Sequence, residues 1–193
     1  VIDMPTSNNR GKKKVVTRSD RASLDVYQLI SILPVSPYHE VADVGCGAGD
    51  LSIPLGKSVY RGKVTALDTV KKDLKTARRK LKENRLTNVQ VRHVEDISKL
   101  MLKDNSLDGA LTAFLFQESD RPEEVLKDVS RCLKKGGWLA IIESTVWNVG
   151  GRSDPGGHDV SLQDCRRTAE AAGFKFYMRR SLSNAAYMVL FTK

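Results

Sequence analysis

The sequence is poor in cysteine, and this bounds its chemistry. Three cysteines occur among 193 residues, Cys46, Cys132 and Cys165, and no two of them form a Cys-x-x-Cys pair. Such scattered cysteines argue against a disulfide framework and against a zinc site, and they are typical of a reducing compartment. We therefore expect a cytoplasmic protein without a metal site.

Long apolar runs are missing as well. The longest ones, such as residues 110–116, fall far short of the roughly 20 residues that a membrane-spanning helix needs. No apolar segment follows the charges near the N-terminus, so we expect neither a secretory signal nor a membrane span. A length of 193 residues suits a single domain, because domains usually contain about 100–200 residues.

Aromatic residues are scarce, at 6% of the chain, whereas the formal net charge is +9. The basic residues are concentrated before residue 22 and within residues 71–85. They would serve solubility alone, or attract RNA, lipid headgroups or an anionic substrate. Because no aromatic platforms for bases are interleaved with these charges, any nucleic-acid binding is expected to be weak and independent of sequence.

Apolar segments and turn residues alternate in a regular way along the chain. A helix capped by Ser19 or Asp20 should end at Pro34 and Pro37, and strands are predicted at residues 41–44, 63–68, 88–94, 107–116 and 138–143. A capping box at Asp120 and Glu123 and a cap at Ser161 predict later helices. Residues 174–180 and 185–192 read as a hairpin.

This alternation predicts an α/β fold. We expect a Rossmann-like, seven-stranded, mostly parallel sheet with helices on both faces and an antiparallel C-terminal hairpin. The organisation is a flexible basic arm at residues 1–18, followed by a single domain at residues 19–193.

The segment "VADVGCGAGDLS" at residues 41–52 carries three glycines at alternate positions, Gly45, Gly47 and Gly49. A dinucleotide fingerprint would place a glycine where Asp50 stands, and the Gly-Lys-Ser/Thr of a phosphate-binding Walker loop is absent. A bound phosphate needs free amides at the helix N-terminus, but Asp50 is placed to cap them and Asp43 adds negative charge. The loop therefore favours a cationic or neutral ligand.

A second acidic residue narrows the choice of ligand. Asp68 ends the second predicted strand, where a carboxylate commonly accepts hydrogen bonds from ribose hydroxyls. A loop that tolerates a cation, together with a ribose-binding carboxylate, describes a nucleoside with a charged amino-acid tail. S-adenosylmethionine has that structure and contains no phosphate.

Four motifs in order carry a resemblance to a known family. They are "VADVGCGAGD", "GKVTALD", "VEDIS" and "LKKGGWLAIIE". Residues 20–193 resemble the class I S-adenosylmethionine-dependent methyltransferases, and are most similar to the small branch related to the ubiquinone and menaquinone C-methyltransferases. The resemblance implies S-adenosylmethionine as cofactor, with S-adenosylhomocysteine as its product.

The resemblance also implies roles for individual residues. The methionine portion would be surrounded by Asp43, Gly45, Cys46, Gly47 and Gly49. Asp68 with Thr69 would contact the ribose, Asp96 with Ile97 the adenine, and Ala113 or Phe114 the sulfonium side. The alternatives are a tight turn without ligand for the glycines, a strand-end turn for Asp68, and a helix cap for Asp96.

Methyl transfer mainly requires that the acceptor be aligned with the methyl group, and only some acceptors need a general base. Candidates for such a base are Glu143, His158 and Gln117, and Trp147 would wall the acceptor pocket or pack on the first helix. Residues 148–159, rich in glycine, are expected to form a lid together with the N-terminal helix.

A small-molecule acceptor is favoured, because no Asn-Pro-Pro-Tyr-type motif of the amino-methylating enzymes and no RNA-binding module is present. The alternatives are an RNA or protein methyltransferase that uses the basic arm, and a non-catalytic protein that binds S-adenosylmethionine.

Overall fold

A computed structural model describes residues 25–144, 161–183 and 186–193. Several predictions fall outside these residues: the basic arm at 1–18, the start of the domain at residue 19, Trp147, His158 and the lid at 148–159. The prediction that Ser19 or Asp20 caps the first helix is wrong, because the helix with Tyr27 begins at Val26 and Asp25 caps it.

Seven strands form one sheet in the order β3-β2-β1-β4-β5-β7-β6. The strands are β1 (Glu40–Val44), β2 (Lys63–Asp68), β3 (Val89–His93), β4 (Leu107–Ala113), β5 (Leu133–Ser144), β6 (Lys175–Ser183) and β7 (Ala186–Thr192). The first five pair in parallel, and β7 pairs antiparallel with both β5 and β6. The predicted Rossmann-like sheet with a C-terminal hairpin is therefore confirmed.

Helices cover both faces of this sheet. Those in the described residues are α1 (Val26–Ser31), α2 (Ser52–Ser58), α3 (Lys71–Glu83), the single turn α4 (Leu115–Glu118), α5 (Pro122–Cys132) and α6 (Leu162–Ala171). One apolar cluster joins the sheet to α5 and α6, and another joins it to α1 and α2. Because both faces are covered, the central strands β1 and β4 are almost entirely buried, as is usual for parallel sheets.

Some helix starts differ from those predicted. Helix α5 begins at Pro122 with Arg121 as its N-cap residue and without a side-chain cap, so the predicted capping box is wrong. Proline fits the first helical position because its missing N–H would have no partner there. The predicted cap at Ser161 is confirmed, since its Oγ accepts a hydrogen bond of 3.0 Å from the Asp164 N–H.

Strand β4 ends three residues earlier than predicted. Phe114 has a left-handed backbone, with φ 62° and ψ 27°, and the turn α4 follows directly. A left-handed residue cannot continue a strand, so the chain leaves the sheet after Ala113. None of the helices in the described ranges has the length and apolar character needed to cross a membrane.

Substitution Gly109→Ala tests how closely β4 and β5 pack. Gly109 pairs with Trp138, and a Cβ at Gly109 would lie 2.0 Å from Cε2 of the indole. We expect urea unfolding to show that the free energy of unfolding falls by about 1–3 kcal/mol, as is typical of overpacking. In a Trp138→Ala background the same substitution should cost much less, and an equal cost in both backgrounds would contradict the account.

Candidate active site

Three of the predicted site segments meet at one edge of the sheet. In the sheet register, Val44 of β1 pairs with Leu67 of β2 and with Thr112 of β4. Gly45, Asp68 and Ala113 each follow one residue later, so they are neighbours at the carboxyl ends of the strands. The junction of β1 and β4 is also the point where the strand order reverses, which is where ligands bind in sheets of this kind.

The three glycines of the loop after β1 all have left-handed backbones, with φ of 75° at Gly45, 51° at Gly47 and 81° at Gly49. A Cβ at Gly49 would lie 3.0 Å from the Cβ of Ala77, so this glycine allows α3 to pack closely. A Cβ at Gly45 would meet nothing within 4 Å. Gly45 therefore faces open space that a ligand can fill.

Asp68 holds this loop in place. Its Oδ2 accepts a hydrogen bond of 2.8 Å from the Gly47 N–H, and its Oδ1 accepts one of 2.8 Å from the Val70 N–H at the start of α3. The side chain is buried, and each oxygen keeps a further lone pair. Thr69 beside it is exposed, and its carbonyl oxygen lies 3.1 Å from Nε2 of His93.

Asp43 is a second buried carboxyl group beneath the loop. Its Oδ2 accepts a hydrogen bond of 2.5 Å from the Ser52 hydroxyl. Burial raises the pKa of Asp43 to about 6 against the opposing effect of the Ser52 bond, and the neighbouring charges of Asp68 and Asp50 raise it further. Because burial and like charges penalise the ionised form, a cation placed near Asp43 would relieve this penalty.

The expectation that Asp50 caps α2 is wrong. Its carboxylate forms an ion pair with Lys80 of α3, and Leu51 occupies the N-cap position without a side-chain bond. The side chain of Cys46 is buried against Ala66 and Leu74. Burial raises the pKa of the Cys46 thiol far above its usual range. The Cys46 side chain thus belongs to the core beneath the loop.

Asp96 lies after β3 and has partners of its own. Its Oδ1 accepts hydrogen bonds from the Ser98 N–H at 2.9 Å and the Ser98 hydroxyl at 2.7 Å, and its Oδ2 pairs with Arg121 at 3.0 Å. The Ser98 bonds, and then Arg121, lower the pKa of Asp96 to about 2. Ile97 is half-buried against the core. Nothing in the sequence pattern indicated Arg121, which approaches from the start of α5.

The candidate catalytic residues Glu143 and Gln117 are hydrogen-bonded to each other. Glu143 is fully buried at the end of β5, and its Oε1 accepts a hydrogen bond of 3.0 Å from the Phe116 N–H. Its Oε2 accepts one of 3.3 Å from the Gln117 amide, and it lies opposite Tyr187 of β7. Burial raises the pKa of Glu143 to about 7, although these hydrogen bonds oppose the change. This geometry suits a group that positions the turn α4.

The sequence placed Phe114 at the site but did not indicate its left-handed backbone. Phe114 is buried, and its N–H donates a hydrogen bond of 2.7 Å to the Ile142 carbonyl oxygen. A left-handed backbone costs a residue with a Cβ about 1–2 kcal/mol, and such strain is often concentrated at functional sites. The bonds from Phe116 and Gln117 to Glu143 hold the strained turn at the edge that also carries Gly45 and Asp68.

Substitution Glu143→Gln tests the burial of this carboxyl group. Because the folded protein keeps the Glu143 proton up to a pKa of about 7, Glu143 should make the free energy of unfolding fall as pH rises from about 4.5 to 7. Glutamine cannot ionise and still accepts the Phe116 N–H. The variant should therefore gain on the order of 3 kcal/mol over the wild type between pH 5 and 8, measured by urea unfolding.

The exposed Glu123 on α5 provides the control for this measurement, and Glu123→Gln should keep the wild-type pH slope. The interpretation would be wrong if Glu143→Gln also kept that slope.

Comparisons with known proteins identify the family of the chain. The sequence model of a family described as "Methyltransferase domain" matches residues 42–141. A demethylmenaquinone methyltransferase of Listeria welshimeri is 34% identical over 125 residues, which are 64% of this chain and 52% of that protein. The chain thus spans about half the length of the curated relatives it matches.

Solved structures show the same architecture. An S-adenosylmethionine-dependent methyltransferase from Aquifex aeolicus is 26% identical, with a TM-score of 0.80 over 91% of this chain and 93% of that one. The [4+2]-cyclase SpnF is 17% identical, with a TM-score of 0.76 over 91% of this chain and 81% of that one, and it shares the fold alone.

The meeting of the ends of β1, β2 and β4 at the glycine loop, the sheet order and the match of the family model lead to one conclusion. The chain belongs to the S-adenosylmethionine-dependent methyltransferases, and S-adenosylmethionine is its cofactor.

Proposed function

We propose that this chain transfers the methyl group of S-adenosylmethionine to a small molecule with a hydroxylated ring, bound at the carboxyl ends of β1, β4 and β5. One observation carries the proposal: the buried carboxyl groups of Asp43 and Asp68 lie beneath a left-handed glycine loop whose Gly45 faces open space. The loop and its surroundings are suited to a cation and to close approach by a ligand.

The residues present fit this cofactor. Asp43 offers a buried negative charge to the cationic methionine portion, and Gly45 leaves the space that this portion needs. Asp68 accepts two backbone N–H groups and retains lone pairs for the ribose hydroxyls. Asp96 and Ile97 stand one strand further on, where they would contact the adenine, with Arg121 held against Asp96.

When bound, S-adenosylmethionine would supply an electrophilic methyl group: the methyl carbon bonds to the acceptor, the carbon–sulfur bond breaks with its electron pair left on sulfur, and the acceptor releases a proton to water. The role of the protein is to position the acceptor. The turn α4 lies beside the glycine loop, and Glu143 fixes this turn through the Phe116 N–H and the Gln117 amide. We propose that Glu143 and Gln117 act in this way, as positioning residues, and that Ala113 and Phe114 border the methyl group.

The choice of a ring-containing acceptor is supported by the relatives. Those named demethylmenaquinone methyltransferase match this chain over 114–125 residues in the examples from Listeria welshimeri and Alkalihalophilus pseudofirmus. The end of β4 offers an apolar lining, because Ala113 and Phe116 are only half-buried there. A flat, apolar ring with hydroxyl groups suits such a lining.

RNA is a second candidate acceptor, favoured by one surface. Arg61 lies over the rings of Tyr38 and Tyr60, at 5.6 and 6.0 Å from their centroids, and both tyrosines are exposed. Lys57 lies 5.8 Å from the exposed Tyr27 ring. Aromatic and basic residues are thus combined on this surface, outside the two basic clusters of the sequence. Tyr38 precedes β1, however, at the sheet edge opposite the glycine loop, which favours the small molecule.

Substitution Gly45→Ala tests the proposed place of the methionine portion. Its Cβ would clash with no protein atom but would enter the open space, so we expect cofactor affinity in calorimetry to fall at least about tenfold. Gly173→Ala is a matched control, since Gly173 also has a left-handed backbone, with φ 93°, and only an ordinary contact of 3.7 Å. Both variants should lose about 1 kcal/mol of stability. Equal cofactor affinity in the two variants would remove Gly45 from the site.

The acceptor is tested by offering the protein S-adenosylmethionine with either a naphthohydroquinone that lacks a ring methyl group or a single-stranded RNA oligonucleotide. We expect mass spectrometry to show a methylated naphthohydroquinone together with S-adenosylhomocysteine. Binding of the RNA should be weak and should decline steeply with salt. Methylated RNA without a methylated ring compound would favour the second candidate.

A further inference from the structure

A cavity of about 360 Å³ lies at the edge of the sheet opposite the glycine loop. Its lining includes His39, which immediately precedes β1, and Thr192, at the end of the antiparallel β7. Strand β1 contains five residues, and at about 3.3 Å per residue it separates this cavity from the glycine loop by roughly 15 Å. The cavity is therefore distinct from the proposed methyl-transfer site.

The wall of the cavity contains a hydrogen-bond donor without a partner. Trp138 is 4% exposed, and in the described part of the chain its Nε1 is the one buried side-chain nitrogen or oxygen that lacks a hydrogen bond. A buried donor left unpaired is costly, so such groups usually have a partner. The indole, including its Nε1, is seated over Gly109, where no Cβ would fit. A small displacement of the indole from Gly109 would expose this N–H to an acceptor in the cavity, which would then supply the bond that Trp138 lacks.

The charge at the cavity is positive. Asp108 is engaged on both oxygens, by the Lys134 ammonium at 2.6 Å and by the Glu40 N–H at 2.8 Å. Lys135 is exposed beside them and makes no hydrogen bond or ion pair within the ranges that the structure describes. One cation at the cavity therefore remains available for an anion.

His39 adds another donor. Its Nδ1 accepts a hydrogen bond of 3.2 Å from the Ser36 N–H, so the ring proton of the neutral form is on Nε2. Another part of the wall is apolar and includes the exposed ring of Tyr177 together with Pro34 and Leu190. The lining thus combines donors and positive charge at one part with an aromatic surface at another.

We propose that this cavity is a binding site for a small organic anion, in which an apolar ring carries an oxyanion that accepts hydrogen bonds from Trp138, His39 and Lys135. The ring would lie against Tyr177 and Leu190. A volume of about 360 Å³ is at the lower end of ligand pockets, which suits a compact ligand. A carboxylate and a phosphate monoester share the required chemistry.

The NMR resonance of the Trp138 indole N–H reports directly on ligand binding in the cavity. The chain has two tryptophans, so ¹⁵N-indole labelling gives two resonances, and Trp147→Phe identifies that of Trp138. Titration with 2-naphthoate, phenyl phosphate and inorganic phosphate should move the Trp138 resonance saturably with at least one ring-bearing probe. The relative affinities of the first two probes decide between carboxylate and phosphate.

Two variants and a neutral probe make the test specific. Lys135→Gln should weaken the binding of 2-naphthoate about fivefold. Trp138→Phe, for which binding is measured by calorimetry, should weaken it about tenfold. Lys72→Gln, which changes an exposed lysine of α3, should leave the affinity unchanged. 2-Naphthalenemethanol, which has no charge, should bind more weakly than 2-naphthoate.

The proposal is overturned if none of the three anions moves the Trp138 resonance saturably at concentrations up to about 10 mM. Equal binding of 2-naphthoate by the wild type and Lys135→Gln would equally overturn the assignment to an anion.

Discussion

The carboxylate of Asp68 is shared by two backbone N–H groups, and the shape of the cofactor loop depends on this sharing. One N–H belongs to Gly47 in the loop and the other to Val70 at the start of α3. The bonds join the ends of β1 and β2 into one rigid edge and hold the left-handed glycines in place. Without an acceptor at this position, two amides would be left unpaired close to the core.

The burial of two carboxyl groups determines which ligands suit the sheet edge at the carboxyl ends of β1 and β2. A phosphate would meet Asp43 and Asp68. Burial already raises the pKa of Asp43, and the charges of Asp68 and Asp50 raise it further. A cation would lower the cost of ionising Asp43, and a ribose can use the spare lone pairs of Asp68. We propose that the same two carboxyl groups organise the loop and favour a cofactor that is cationic and free of phosphate.

Much of this could be predicted from the sequence, because it depends on local patterns. Asp43 and Asp68 lie at the ends of short apolar strands and the glycines follow directly after the first of these strands. Parallel strands bring such ends together. Partners that depend on distant packing could not be predicted. The ion pairs of Asp50 with Lys80 and of Asp96 with Arg121 join segments about 25–30 residues apart. Glu143 looked like a general base at a strand end, but only the position of α6 and β7 shows that it is buried.

The most direct test of the central claim is the pH dependence of S-adenosylmethionine binding, measured by calorimetry between pH 5 and 7. In the free protein the pKa of Asp43 is raised to about 6, so at pH 5 this group must lose a proton before it can pair with a cation. Affinity should therefore rise by up to about tenfold from pH 5 to 7. Asp43→Asn should abolish the rise and Glu143→Gln should retain it, whereas an affinity of the wild type that is constant or falls over this range would contradict the account.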